Sequence, residues 1–121
     1  MSTQLKHLTP VLPSNDIKRD IAWYEKYLGF KYNMGQEAYA VLHRDNQWIH
    51  LQWHANTKDD PLLGGSVIKI VVDDLQHIFE EMLDRGSISK EKLIMNTPWG
   101  THEFGLYDLN KNAIFFVTDV D

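Results

Sequence analysis

The chain has 121 residues, 17 of them acidic against 12 basic, a formal net charge of -5 and no cysteine. That length supports one domain or two small halves with a real core, and the missing cysteines exclude disulfides, thiolate metal sites and thiol nucleophiles. No apolar run is long enough to cross a bilayer, the basic residues form no stripe of the kind nucleic acid needs, and the opening residues lack the apolar centre of a signal peptide; a cytoplasmic protein is expected, bound to neither nucleic acid nor membrane.

Residues 5–12 alternate like a strand, with Leu8 and Leu12 on one face and His7, Thr9 and Val11 on the other. Pro10 lacks a ladder donor and predicts an edge position or a special pairing. The turn 13–16 leads to a helix capped by Asn15 or Asp16. Its stripe is Ile17, Ile21, Tyr24 and Leu28, and Gly29 ends it. Phe30 and Tyr32 open a strand, and residues 39–44 and 48–53 pair across Asp45-Asn46. In the second of these, Ile49, Leu51 and Trp53 share a face that suits packing on the helix. Trp48, His50 and Gln52 share the other, which suits a wet cleft.

Residues 57–65 are polar, contain Pro61 and a Gly64-Gly65 pair, and read as a linker. Then the pattern restarts. Residues 67–72 form a strand, Asp73-Asp74 opens a helix, and Leu75, Ile78, Phe79, Met82 and Leu83 make its stripe up to Gly86. Asp16-Ile17 and Asp74-Leu75 stand 58 positions apart, an internal repeat. After a polar connection, Pro98 and Gly100 hold Trp99 out on a stiff corner. A hairpin follows, with strands at 102–107 and 114–117 and the turn residues 108–112 between them.

The repeat predicts an α+β fold: two βαβββ modules, about 4–56 and 66–120, in one domain. They form a curved mixed sheet with helices outside and a cleft inside, since neither half covers its own sheet alone. Thr9, Val11, Trp48, His50, Gln52, Val67, Lys69, Val71, Glu103, Tyr107, Phe115 and Val117 are expected in the cleft. Leu8, Leu12, Ile49, Leu51, Ile68, Ile70, Val72, Phe104, Leu106, Ile114 and Phe116 are expected in the core.

Three stretches carry a resemblance: 9–17 (Thr-Pro-Val-Leu-Pro-Ser-Asn-Asp-Ile), 23–30 (Trp-Tyr-Glu-Lys-Tyr-Leu-Gly-Phe) and 98–108 (Pro-Trp-Gly-Thr-His-Glu-Phe-Gly-Leu-Tyr-Asp). Together they resemble the bleomycin resistance proteins of the glyoxalase/bleomycin resistance/extradiol dioxygenase superfamily, also called vicinal oxygen chelate. The resemblance implies a homodimer with strands or arms exchanged, ligand crevices at the dimer interface, and antibiotic resistance by sequestration of a cationic glycopeptide without chemistry. It assigns Pro10 to dimerisation and Trp99 and Gly100 to the crevice. Tyr39 falls at an aromatic position of the family and Gln52 at a small polar one. Lys69 falls near a tryptophan of the best-known binders, and a cation there opposes a cationic drug. The turn 108–112 also departs from the family's usual Asp-Pro-Asp-Gly-Asn.

Catalytic branches of the superfamily hold a divalent metal with His and Glu from four strands. The matching positions here are Thr9, His50, Val67 and Phe115, of which His50 alone can coordinate, so no metal or other cofactor is expected. A rearranged His7, His50 and Glu103 set is the metal alternative. His43, His54, His77 and His102 show no ligand spacing. Three functions remain open. The first is a metal-free small-molecule binding protein that sequesters a cationic or aromatic ligand in a dimer-interface crevice, using Tyr39, Trp48, His50, Gln52, Lys69, Trp99, Gly100 and Glu103. The second is a metal-dependent enzyme of glyoxalase, thiol transferase or extradiol dioxygenase type. The third is an interaction domain with a vestigial cleft.

Overall fold

In the computed structural model, which describes residues 2–62 and 65–120, two aspartates start the two helices. Asp16 accepts the Arg19 N–H ahead of α1 (Ile17–Leu28), and Asp74 accepts the His77 N–H ahead of α2 (Leu75–Arg85). Each satisfies a backbone donor that the first helical turn leaves free. Gly29 and Gly86 close the helices at φ 73° and 76°, in the left-handed region that suits glycine.

The strands are β1 (Val11–Ser14), β2 (Lys31–Gln36), β3 (Tyr39–Arg44), β4 (Gln47–Trp53), β5 (Val67–Val71), β6 (Thr101–Tyr107) and β7 (Ala113–Asp119). They form a four-stranded sheet in the order β1-β4-β3-β2 and a three-stranded sheet in the order β5-β7-β6. β1 lies parallel to β4 and β5 parallel to β7; the other pairs are antiparallel. The expected mixed sheet is thus hydrogen-bonded as two. In the second module the outer strand shrinks to one bridge, Ile94 with Glu103. The polar stretch before it makes a single 3-10 turn at Lys90–Lys92 instead, because it lacks the alternation a half-buried strand needs.

The first strand corrects the sequence reading. It begins at Val11, where pairing with His50 of β4 starts, and the Pro10 carbonyl accepts the His50 N–H at 3.0 Å. Residues 2–8 have no strand partner here. Leu8, expected in the core, is 98% exposed. The linker's Leu63 and Gly64 lie outside the described residues.

One apolar core joins both modules. Leu12, Ile49 and Leu51 meet Tyr24 and Leu28 of α1, Phe79 and Met82 of α2, and Phe104, Ile114 and Phe116 of the second sheet. Phe104 stacks on Phe116 at 5.2 Å and meets Phe79 edge-on at 5.3 Å.

Polar ties hold the modules at both ends of α1. At its start, Asp20 is buried in the apolar stripe and accepts Ser14 Oγ, Arg19 Nε (2.9 Å) and, from the turn 108–112, Asn110 Nδ2 (2.6 Å). Tyr24 donates its hydroxyl to Asp108 at 2.6 Å, and Asp108 also accepts the Asn110 and Asn112 N–H groups and the Asn112 amide. At the far end, Arg44 donates to the Leu28 carbonyl and grips both oxygens of Glu81, at 2.8 and 2.6 Å. Arg85 also bonds Glu81, at 2.7 Å, and reaches the Lys26 carbonyl at 3.0 Å. Two guanidinium groups at the last carbonyls of a helix oppose the negative end of its dipole.

Candidate functional site: an aromatic and basic cleft

The period of two along β4 turns Ile49 and Leu51 into the core and leaves Trp48, His50 and Gln52 on the opposite face. Beyond that face a cleft of about 720 Å³ opens between β4 and β5, with residues 7–10 along its side. That volume lies in the range of small-molecule sites. Trp48, His50, Lys69 and Pro10 line it, together with His7, Thr9, Asn46, Gln47 and Val71.

Trp48 is 42% exposed, and its indole stacks on His43 at 4.8 Å with 27° between the planes. The stacking braces a flat apolar surface at the mouth. His50 is half-buried and its Nδ1 lies 2.7 Å from the Tyr39 hydroxyl. With that hydroxyl donating, Nδ1 is the acceptor and Nε2 carries the proton. Gln52 pairs in register with Tyr39 on the same face, outside the cleft lining.

Trp99, Gly100 and Glu103 make a second group. Gly100 turns the chain at φ 86°, and Trp99 stands 66% exposed. The indole Nε1 donates to Glu103 Oε1 at 2.8 Å, and Thr101 Oγ1 donates to the same oxygen at 2.7 Å. Thr97 joins Thr101 at 2.7 Å. The Thr101 hydroxyl does most to hold the Glu103 carboxyl below its usual range. Desolvation opposes it, and Trp99 and the charge of Lys69 add to it. Glu103, expected open to the cleft, is buried under this corner instead. Val117, expected beside it in the cleft, is 1% exposed and offers no surface there.

The eight sequence-derived site residues therefore fall into two groups: Tyr39, Trp48, His50, Gln52 and Lys69 on and around the cleft, and Trp99, Gly100 and Glu103 at the corner. The reading from sequence missed Asn46, which it spent on a turn, Gln47, which it assigned to no element, and His43, whose role as a brace follows from its register opposite Trp48. An Asp inside the stripe of α1 was the legible sign of a buried polar tie at Asp20.

The metal of the superfamily's catalytic branches does not fit these residues. The positions matched from the sequence hold Thr9, His50, Val67 and Phe115, and a single imidazole does not make a metal site. Among the described residues no three His, Asp or Glu side chains are gathered to hold an ion. The rearranged set fails on placement: His7 and His50 line the cleft, while Glu103 belongs to the corner. Among the described residues no helix is long and apolar enough to cross a membrane.

Comparison with known proteins agrees with this architecture. The chain is 24% identical over 125 aligned residues to a bleomycin resistance protein of Geobacillus stearothermophilus, covering 92% of this chain and 95% of the relative. It superposes with TM-score 0.77 on a bleomycin resistance determinant encoded on transposon Tn5, at 22% identity over 95% of this chain and 98% of that one. A bleomycin-binding protein from Streptomyces verticillus, solved with copper(II)-bleomycin, superposes with TM-score 0.76 at 19% identity over 99% and 100% of the two chains. The profile of one family matches residues 4–116, nearly the full length: the chain belongs to the glyoxalase/bleomycin resistance protein/dioxygenase superfamily.

Proposed function

We propose that this protein holds a flat, aromatic-bearing small molecule and releases it unchanged, in the manner of the bleomycin resistance proteins it resembles. The observation that carries this reading is the cleft wall: an indole braced by His43 stands beside hydrogen-bonding groups, and among the described residues no three His, Asp or Glu side chains are gathered to hold an ion. Support comes from the names of its relatives, a bleomycin resistance protein and a structural neighbour holding copper(II)-bleomycin. In this reading Tyr39, Trp48, His50, Gln52 and Lys69 form one wall of the site and Trp99, Gly100 and Glu103 the other. A second copy of the chain brings the walls together, with the segment before Pro10 reaching across. Leu5 and Leu8, exposed in the single chain, find cover in that pairing.

Four tryptophans make the test direct. Titration with bleomycin and a panel of planar aromatic drugs should change the intrinsic fluorescence with affinities near micromolar, about 8 kcal/mol of binding free energy. Mass spectrometry should recover each bound compound intact. A flat response across the panel overturns the binding reading. Elemental analysis showing a stoichiometric divalent metal, lost in His50→Ala, returns the protein to the catalytic branches. Light scattering that gives a monomer at micromolar concentration removes the dimer.

A further inference from the structure

The cleft is basic inside an acidic protein. Acidic residues outnumber basic ones 17 to 12 in the chain, yet among the described residues no Asp or Glu lines this cleft, and Lys69 does. Among the described residues Lys69 enters no salt bridge. The carboxylate that feels its charge is Glu103, for which Lys69 ranks below the bonds from Thr101 and Trp99. No salt bridge joins Lys69 to Glu103, so Glu103 acts on the ammonium through its field alone.

Around Lys69 the cleft offers donors and a ring. Nε2 of His50 is left for the cleft once Tyr39 takes Nδ1. Ile68, Ile70 and Trp48 also line the cleft and supply its apolar surface. An ammonium in such a place gains most from an oxyanion that accepts from it and from a neighbouring N–H together. Among the described residues no carboxylate lines this cleft to offset the repulsion that a ligand cation meets at Lys69, and Glu103 of the opposite wall is engaged by Thr101 and Trp99.

Building on the binding reading above, we propose that the cleft selects an aromatic ligand bearing an anionic oxyacid group, carboxylate or phosphate. Lys69 and His50 Nε2 hold the anion, and the ring lies against Trp48. The ligand class of this chain thus differs in charge from a cationic glycopeptide.

Calorimetry with four probes of one shape tests it: 2-naphthoate, 2-naphthyl phosphate, 2-naphthamide and 2-naphthylmethylammonium, at neutral pH and low salt. The better of the two anions should bind at least about ten-fold more tightly than the amide, as a charge-assisted bond predicts, and the ammonium most weakly. Lys69→Gln should bring anion and amide within about two-fold, Lys69→Arg should keep the preference, and Lys69→Glu should favour the ammonium. Whichever of carboxylate or phosphate leads identifies the oxyacid. Lys69 is exposed, so these variants keep the fold, and circular dichroism confirms it. Equal binding of anion and amide, a preference for the ammonium, or an unchanged preference in Lys69→Gln overturns the charge selection and leaves the binding reading standing. Failure of all four probes also overturns it, and the drug panel then decides the binding reading separately.

Discussion

Tyr24→Phe removes one oxygen from the centre of the tie between the modules. Its hydroxyl is fully buried and donates to Asp108 at 2.6 Å. The carboxylate keeps two backbone N–H groups and the Asn112 amide but loses one of its donors. A buried hydrogen bond to a charged acceptor contributes roughly 1.5–3 kcal/mol, and no cavity larger than the lost oxygen forms. A loss of about 2 kcal/mol is expected, a large share of the roughly 5–15 kcal/mol of a typical domain. Urea melts followed by far-ultraviolet circular dichroism and by tryptophan emission should show a lower midpoint at unchanged slope. The double variant Tyr24→Phe/Asp108→Asn isolates the pair, and its coupling should exceed about 1 kcal/mol. A single-variant loss below about 0.5 kcal/mol, or no coupling, would refute the claim that this bond ties the hairpin turn to α1.

Burial, and then the negative charge of Asp108, push the Tyr24 hydroxyl well above its ordinary value of 10.0. The raised value means that its contribution is complete below the unfolded-state pKa and fades as pH rises through the folded one. An alkaline absorbance titration should therefore show one tyrosine silent until the chain unfolds; Tyr24 ionising with the others would count against its burial. Glu81 runs the opposite way: bonds from Arg44 first, then Arg85, against the cost of burial, hold it down to about 2 from 4.5. Its contribution is present above 4.5 and lost as pH falls towards 2, about 1–2 kcal/mol after allowance for partial exposure. Wild type should lose more stability than Glu81→Gln between neutral pH and pH 3, and equal losses would dismiss the ion cluster as a contributor. At Gly105 an added Cβ would sit 2.5 Å from the Phe115 ring. Gly105→Ala should cost roughly 1–3 kcal/mol in a melt, and Phe115→Leu should relieve much of it. Glu103→Leu should free the Trp99 indole, read as greater quenching of emission by acrylamide; unchanged quenching would mean that the corner does not depend on that carboxylate.

Legibility in the sequence followed local chemistry. Both helices were readable to within a residue because an aspartate cap, a 3.6-residue stripe and a terminal glycine agree at each. β3 and β4 were readable because period-two alternation flanks a two-residue turn. The first strand was misplaced because alternation in 5–12 says nothing about whether a partner strand exists, and β4 offers one from Val11 onward. The turn 108–112 was recognised as a turn, but its packing against Asp20 and Tyr24 depends on residues roughly ninety positions away, which no local pattern encodes. At the site, the parity of Trp48, His50 and Gln52 was legible. The burial of Glu103 was not, since it depends on how Gly100 swings Trp99 over it.

The anchoring of α1 bears on how the chain could be divided. The 108–112 turn grips its first residues, and Arg85, with the Ser87 hydroxyl on the Tyr27 carbonyl, grips its last. Cutting the chain at residue 60 would strip that one helix of its stoppers at both extremities. Each fragment would present raw hydrocarbon to water, and neither would stand as a miniature of the whole. The repeated plan records two similar blueprints, but the helix between them works as a shared axle.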